Sequence, residues 1–135
     1  MIANDIRKVS VVFSDPTADA VIPILRVPAD HQYTIEEGFA SILAQVAAAT
    51  DAYINLTLVN MGTAGAGTDE ISDSIGGTSG WAANAIKDFT VVAGSGKLTA
   101  GQILGVKYAE TGTVAPKPTT VEIGYVDGIG SKANA

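Results

Sequence analysis

Gly94-Ser95-Gly96-Lys97-Leu98 contains the Gly-Lys pair of a phosphate-binding loop, in which backbone amides and a lysine cradle phosphoryl oxygens. That loop requires a glycine five residues before the second glycine and a hydroxyl after the lysine. Here those positions are Val91 and Leu98, so the stretch reads as a hairpin turn. Gly65-Ala66-Gly67-Thr68-Asp69-Glu70 departs from the dinucleotide pattern at its last position, and no strand–helix unit surrounds it. Asp69, Glu70 and Asp73 offer the oxygen ligands that calcium prefers, but within a polar loop they read as solvated side chains. The one histidine, His31, stands beside Asp30 in a turn with no serine motif to serve. Glu36 and Glu37 are consecutive, so on a strand they point to opposite faces and make no glycosidase pair. The Asn55-Leu56-Thr57 sequon lies inside a strand, which argues against its use. Trp81 has two readings, a core residue capping one end of the fold or a surface anchor for a partner. A carbohydrate site would want two or more coplanar aromatics, and one Trp, four Tyr and three Phe give that version little support. No catalytic, cofactor-binding or metal-binding residue is assigned, and the chain reads as non-enzymatic.

The elements around these residues are strands. From Ala52 to Asn60, within the stretch Asp51–Gly62, Ile54, Leu56 and Leu58 alternate with Asn55 and Thr57, the period of a strand with one buried face, and this is the expected central strand. Val9–Phe13 is a first strand ending at Ser14-Asp15-Pro16. Val21–Val27 is a second, and Pro23 within it requires a sheet edge or a bulge. Residues 34–49 support two readings. Ile35, Phe39, Ile42, Leu43 and Val46 recur at helical spacing with Thr34 as N-cap, whereas a strand sets Ile35, Phe39 and Leu43 on one face with Gly38 as a bend. The strand is preferred on the resemblance given below. Gly62–Gly80 is a long glycine-rich loop pinned by Ile71 and Ile75. Further strands are expected at Asp88–Ala93, Ile103–Ala109 and Thr119–Val126, the last two as antiparallel neighbours.

At 135 residues the chain has the size of one domain, divided here into an N-terminal arm (1–8), a β-sandwich (9–126) and a loose tail (127–135). Fifteen glycines beside β-branched runs favour many short strands, giving an all-β fold, a single β-sandwich or barrel. A net charge of −6, with no run of Lys or Arg, disfavours nucleic acid as a partner. Without cysteine there are no disulfides or thiolate ligands. The first residues place Asp5, Arg7 and Lys8 ahead of any apolar run, unlike a secretory signal, and no apolar stretch is long enough to cross a bilayer.

A set of stretches then carries a family resemblance: Arg26-Val27-Pro28-Ala29-Asp30, Tyr33-Thr34-Ile35-Glu36-Glu37-Gly38-Phe39-Ala40, Tyr53–Gly62, Leu98–Thr113, and Val121-Glu122-Ile123-Gly124-Tyr125-Val126. In this order, over about Val21 to Val126, the chain resembles the small β-sandwich capsid decoration (cement) proteins of tailed bacteriophages. The resemblance implies a jelly-roll-like fold, commonly trimeric, bound to the major capsid protein on the outer surface of the virion after synthesis in the host cytoplasm. It implies no cofactor and no membrane partner. An arm of this kind adds to a neighbour's sheet edge, so the residues expected to meet a partner are Ile2, Ile6 and Arg7, with Ile71, Ile75 and Trp81 from the long loop and its end. The alternative is a receptor- or glycan-binding head-fibre or tail module that uses Trp81 and the loop.

Overall fold

The computed structural model describes residues 6–13, 19–114 and 118–128, and over these the chain forms ten strands. They are β1 (Arg7–Phe13), β2 (Ala20–Arg26), β3 (Gln32–Ile42), β4 (Tyr53–Asn60), β5 (Asp69–Glu70), β6 (Ile75–Gly76), β7 (Ile86–Asp88), β8 (Lys97–Thr99), β9 (Ile103–Thr111) and β10 (Thr119–Asp127). One antiparallel sheet runs β1-β10-β3-β7, with β8 also on β3; the other runs β2-β9-β4-β5, with β6 also on β4. First pairs with last, second with second-to-last, and so inward to β3 with β7 and β8 and β4 with β5 and β6. This nesting is the strand order of a jelly roll, the form of sandwich that the resemblance implies.

Alternation explains the core. Ile54, Leu56 and Leu58 of β4 and Leu104, Val106 and Tyr108 of β9 face Ile35, Ala40 and Ile42 of β3 and Val121 and Ile123 of β10, all of them buried. The strands β9 and β10, expected as neighbours, are instead the middle strands of opposite sheets. Their alternation reveals which side chains face inward, but it carries no information about which backbone each strand bonds.

The strand reading of residues 34–49 holds as far as Ile42, with one correction to its faces. Tyr125 pairs with Ile35 and Gly124 with Glu37, so Glu36 is an extra residue, a β-bulge that reverses the alternation. Ile35 faces inward before the bulge, and Ala40 and Ile42 do so after it. Phe39 and Leu43, expected to share the inner face with Ile35, are thereby turned to the outside, where Leu43 is 64% exposed. At Pro23 both expected devices occur, since β2 is a sheet edge and its register shifts between Pro23 and Leu25.

The long loop is more ordered than expected, because β5 and β6 run along β4 within it. Between them the Ile71 amide donates to the Leu58 carbonyl and the Leu58 amide to Ser72 Oγ, both at 2.9 Å. The expected strand at Asp88–Ala93 begins earlier, as β7, and then leaves its sheet. The Phe89 amide still donates to the Gly38 carbonyl, but the Val92 amide donates to Ile71 and the Asp73 amide to Thr90. This crossing ties the two sheets together along one flank of the sandwich. At the ends, Arg7, Lys8 and Asp127 belong to paired strands, so the sheet extends past the boundaries 9–126 on both sides.

Two buried phenols make the fold sensitive to alkali. Burial, then Tyr125 and Asp127, raises the pKa of Tyr33; burial, then the hydrogen bond donated by the Tyr108 hydroxyl to Glu110 Oε1 (2.9 Å), raises that of Tyr108. A raised folded-state pKa means that the native state holds its proton after the unfolded chain has lost it. Their contribution is therefore complete below the unfolded value near ~10 and is lost above it. Urea denaturation should show stability falling above about pH 10, by up to ~1.4 kcal/mol per pH unit for each phenol. A flat profile to pH 11.5 or so would contradict this placement of the two rings.

Candidate functional site

The outer face of the β1-β10-β3-β7 sheet gathers side chains that the core does not use. Register sets Val12, Thr120, Ser41 and Ile86 in one row across four strands, and Ser10, Glu122, Phe39 and Asp88 in the next. Lys8, Gly124 and Glu37 form a third. Leu43 lies one step past β3, its amide held by the Pro118 carbonyl at 3.0 Å. Val12, Leu43 and Ile86 are 67%, 64% and 64% exposed, so one end of this face presents three large aliphatic side chains to solvent. Thr120 and Ser41 stand between Val12 and Ile86 in their row, so the three aliphatic side chains are spread across this end of the face with small polar residues between them.

Toward the other end the face becomes polar. Lys8 Nζ approaches Glu37 Oε1 at 3.8 Å, and these two with Gly38, Phe39, Asp88, Glu122 and Gly124 line a shallow depression of about 130 Å³. Gly124 makes it possible, since a Cβ there would lie 2.6 Å from Glu37 Cγ and 3.0 Å from Ile6 Cγ2. Both partners of the Lys8–Glu37 pair are more than half exposed, so it positions charge and adds little stability. Chemically, the face offers an apolar contact with a mixed-charge margin.

A second polar group sits at the corner where β1, β10 and the β2–β3 turn meet. His31 Nδ1 lies 2.8 Å from Asp127 Oδ2, Arg7 approaches the same oxygen at 3.6 Å, and the Tyr33 and Tyr125 rings stack beside them at 4.6 Å. A carboxylate–imidazole pair supplies two of the three members of a hydrolytic triad. Here, however, the carboxylate is shared with a guanidinium on an exposed corner, which is how strand ends are tied together by charge. Among the described residues no three His, Cys, Asp or Glu side chains are placed to hold a metal ion. At the Gly-Lys stretch, Gly94 takes φ 79° and the Ser95 amide donates to the Val92 carbonyl, a turn.

The six residues expected to meet a partner are not brought together. Ile6, 48% exposed, and Arg7 reach the surface beside β1; Ile2 lies outside the described residues. Ile71 and Trp81 are core residues, 3% and 2% exposed, and Ile75 packs against the core from the side, all on the flank away from β1. The surface-anchor reading of Trp81 is therefore corrected. Its backbone pairs with Val46 (2.8 and 2.9 Å), its indole N–H donates to the Ala85 carbonyl at 2.8 Å, and Lys87 Nζ sits 5.6 Å from the ring centre. A glycine neighbour and a loop end look alike in sequence whether the indole turns in or out. Sequence reasoning missed Val12, Leu43 and Ile86. Only Val12 carried a signal, as an apolar residue in the outward phase of Ser10. Compared with known proteins, the chain matches no family model and no curated protein.

Proposed function

We propose that this protein is a non-enzymatic virion structural protein, a capsid decoration (cement) protein that docks on the outer surface of a tailed-phage head through the outer face of the β1-β10-β3-β7 sheet. The observation that carries the reading is the trio Val12, Leu43 and Ile86, aliphatic side chains about two-thirds exposed on one rigid face. Such a face gains free energy by being covered. The charges of Lys8, Glu37, Glu122 and Asp88 beside it set orientation more than strength. The partner is the major capsid protein, and a contact that is weak at one site becomes strong when repeated over a head. The glycan-binding alternative rested on Trp81, whose indole is in the core, and no observation favours it.

Purified protein is expected to cosediment with expanded heads that lack it and to raise their melting temperature. Failure to cosediment under any ionic condition that keeps the heads intact rejects the reading.

A further inference from the structure

Of the sheet edges among the described residues, one is long and unbroken. The edge strand β2 carries Pro23 and a bulge; β5, β6, β7 and β8 are two or three residues long, and the chain after β7 is tied across the flank. By contrast β1 pairs with β10 over all seven residues without interruption, contains neither proline nor glycine, and takes no strand on its other side among the described residues. An edge of this kind is a template for another strand. Beside it the apolar seam between the sheets is only half covered, with Val9, Val11 and Phe13 of β1 and Ile22, Ile24 and Leu25 of β2 partly exposed.

We propose that β1 pairs with β1 of a second copy of this chain, antiparallel about a two-fold axis at Ser10. The sequence of the strand argues for this occupant. Paired residues must share a face, so a self-paired antiparallel strand is centred on a residue, and Ser10 is the centre that engages all of Arg7–Phe13. On the inner face Val9 then meets Val11 of the other copy, and Phe13 lies against the stem of Arg7; on the outer face Lys8 lies across the exposed Val12. The two basic residues of each copy stay roughly 13–20 Å from their equivalents, beyond the screening length at physiological salt. Parallel pairing would instead set Arg7 beside Arg7 and Lys8 beside Lys8. Each copy already neutralises these charges through Asp127 and Glu37. The pairing stands independently of the capsid reading, and it leaves the outer faces of both copies on one continuous surface.

The native chain contains no cysteine, so one introduced thiol reports the contact cleanly. Under mild oxidation the full-length Ser10→Cys protein is expected to form a covalent dimer, because directly opposed residues bring their Cβ atoms to about 4.5–5.5 Å. Ser41→Cys, on the same face but two strands inward, is expected to remain uncrosslinked. In sedimentation equilibrium the native chain should be dimeric at about 100 μM, and Ser10→Lys, which sets like charges face to face, should weaken the dimer roughly fivefold or more with unchanged circular dichroism. The proposal is overturned by a monomeric native chain at that concentration, by any oligomer, a trimer included, whose Ser10→Cys variant does not crosslink, or by equal crosslinking of Ser41→Cys.

Discussion

Trp81→Ala is expected to destabilise the whole fold by about 3–5 kcal/mol, a large fraction of the stability of a domain this size. The indole is 2% exposed and is held in two ways, by core packing and by its N–H on the Ala85 carbonyl. Its backbone also carries the bridge to Val46 that keeps the 43–49 segment against the sandwich. Truncation opens a cavity that the surrounding strands cannot fill and leaves the Ala85 carbonyl without its donor. Trp81→Phe keeps most of the volume and loses the hydrogen bond, so its cost is expected to be smaller. Urea denaturation of the two variants beside the native protein measures both effects. An unchanged midpoint for Trp81→Ala would return the residue to the surface, with the binding roles considered for it there.

Gly80→Ala should cost about as much, for a different reason. Gly80 takes φ 79°, and a Cβ there would stand 2.7 Å from both the Ala48 nitrogen and the Val46 oxygen. These are backbone atoms of the segment bridged to Trp81, so no side-chain rotation relieves the overlap. Gly94 supplies the comparison. It takes the same φ of 79° with nothing within 4 Å of the added Cβ, so Gly94→Ala carries only the cost of a left-handed alanine, about 1–2 kcal/mol. Gly80→Ala adds to this an overlap that the chain must move to avoid, for a total of roughly 3–5 kcal/mol. The difference between the two denaturation midpoints isolates the steric part, and equal midpoints would mean that the 46–48 segment does not lie against Gly80.

Much of the fold was legible because period-2 alternation survives wherever a strand buries one face. Ile54, Leu56 and Leu58 and the inner residues of β9 and β10 follow from it, while the edge role of Pro23 follows from its missing N–H. Two kinds of information were not encoded locally. The bulge at Glu36 has no mark of its own, yet it decides that Ala40 and Ile42 face the core and that Phe39 and Leu43 do not. The partner of each strand depends on chain segments far away, which is how β9 and β10 came to be read as neighbours. The candidate site inherits both gaps. Leu43 was assigned inward on an unbroken alternation, and Ile86 sits in an Ala-rich stretch after Trp81 with no alternation to place it. Trp81 and Ile71 drew attention as large apolar residues at a loop, and they are large because they fill the closed flank of the sandwich.

The proposed contact is the outer face of the β1-β10-β3-β7 sheet on a phage head. The most direct measurement is quantitative cosedimentation with expanded heads of the double variant Leu43→Lys, Ile86→Lys, beside Lys107→Glu on the outer face of the opposite sheet. Leu43 and Ile86 are each 64% exposed, so the double variant is expected to fold with a nearly native melting temperature. It is expected to fail to bind heads, while Lys107→Glu binds as the native protein does. Equal binding by the folded double variant and the native protein would contradict the proposed contact.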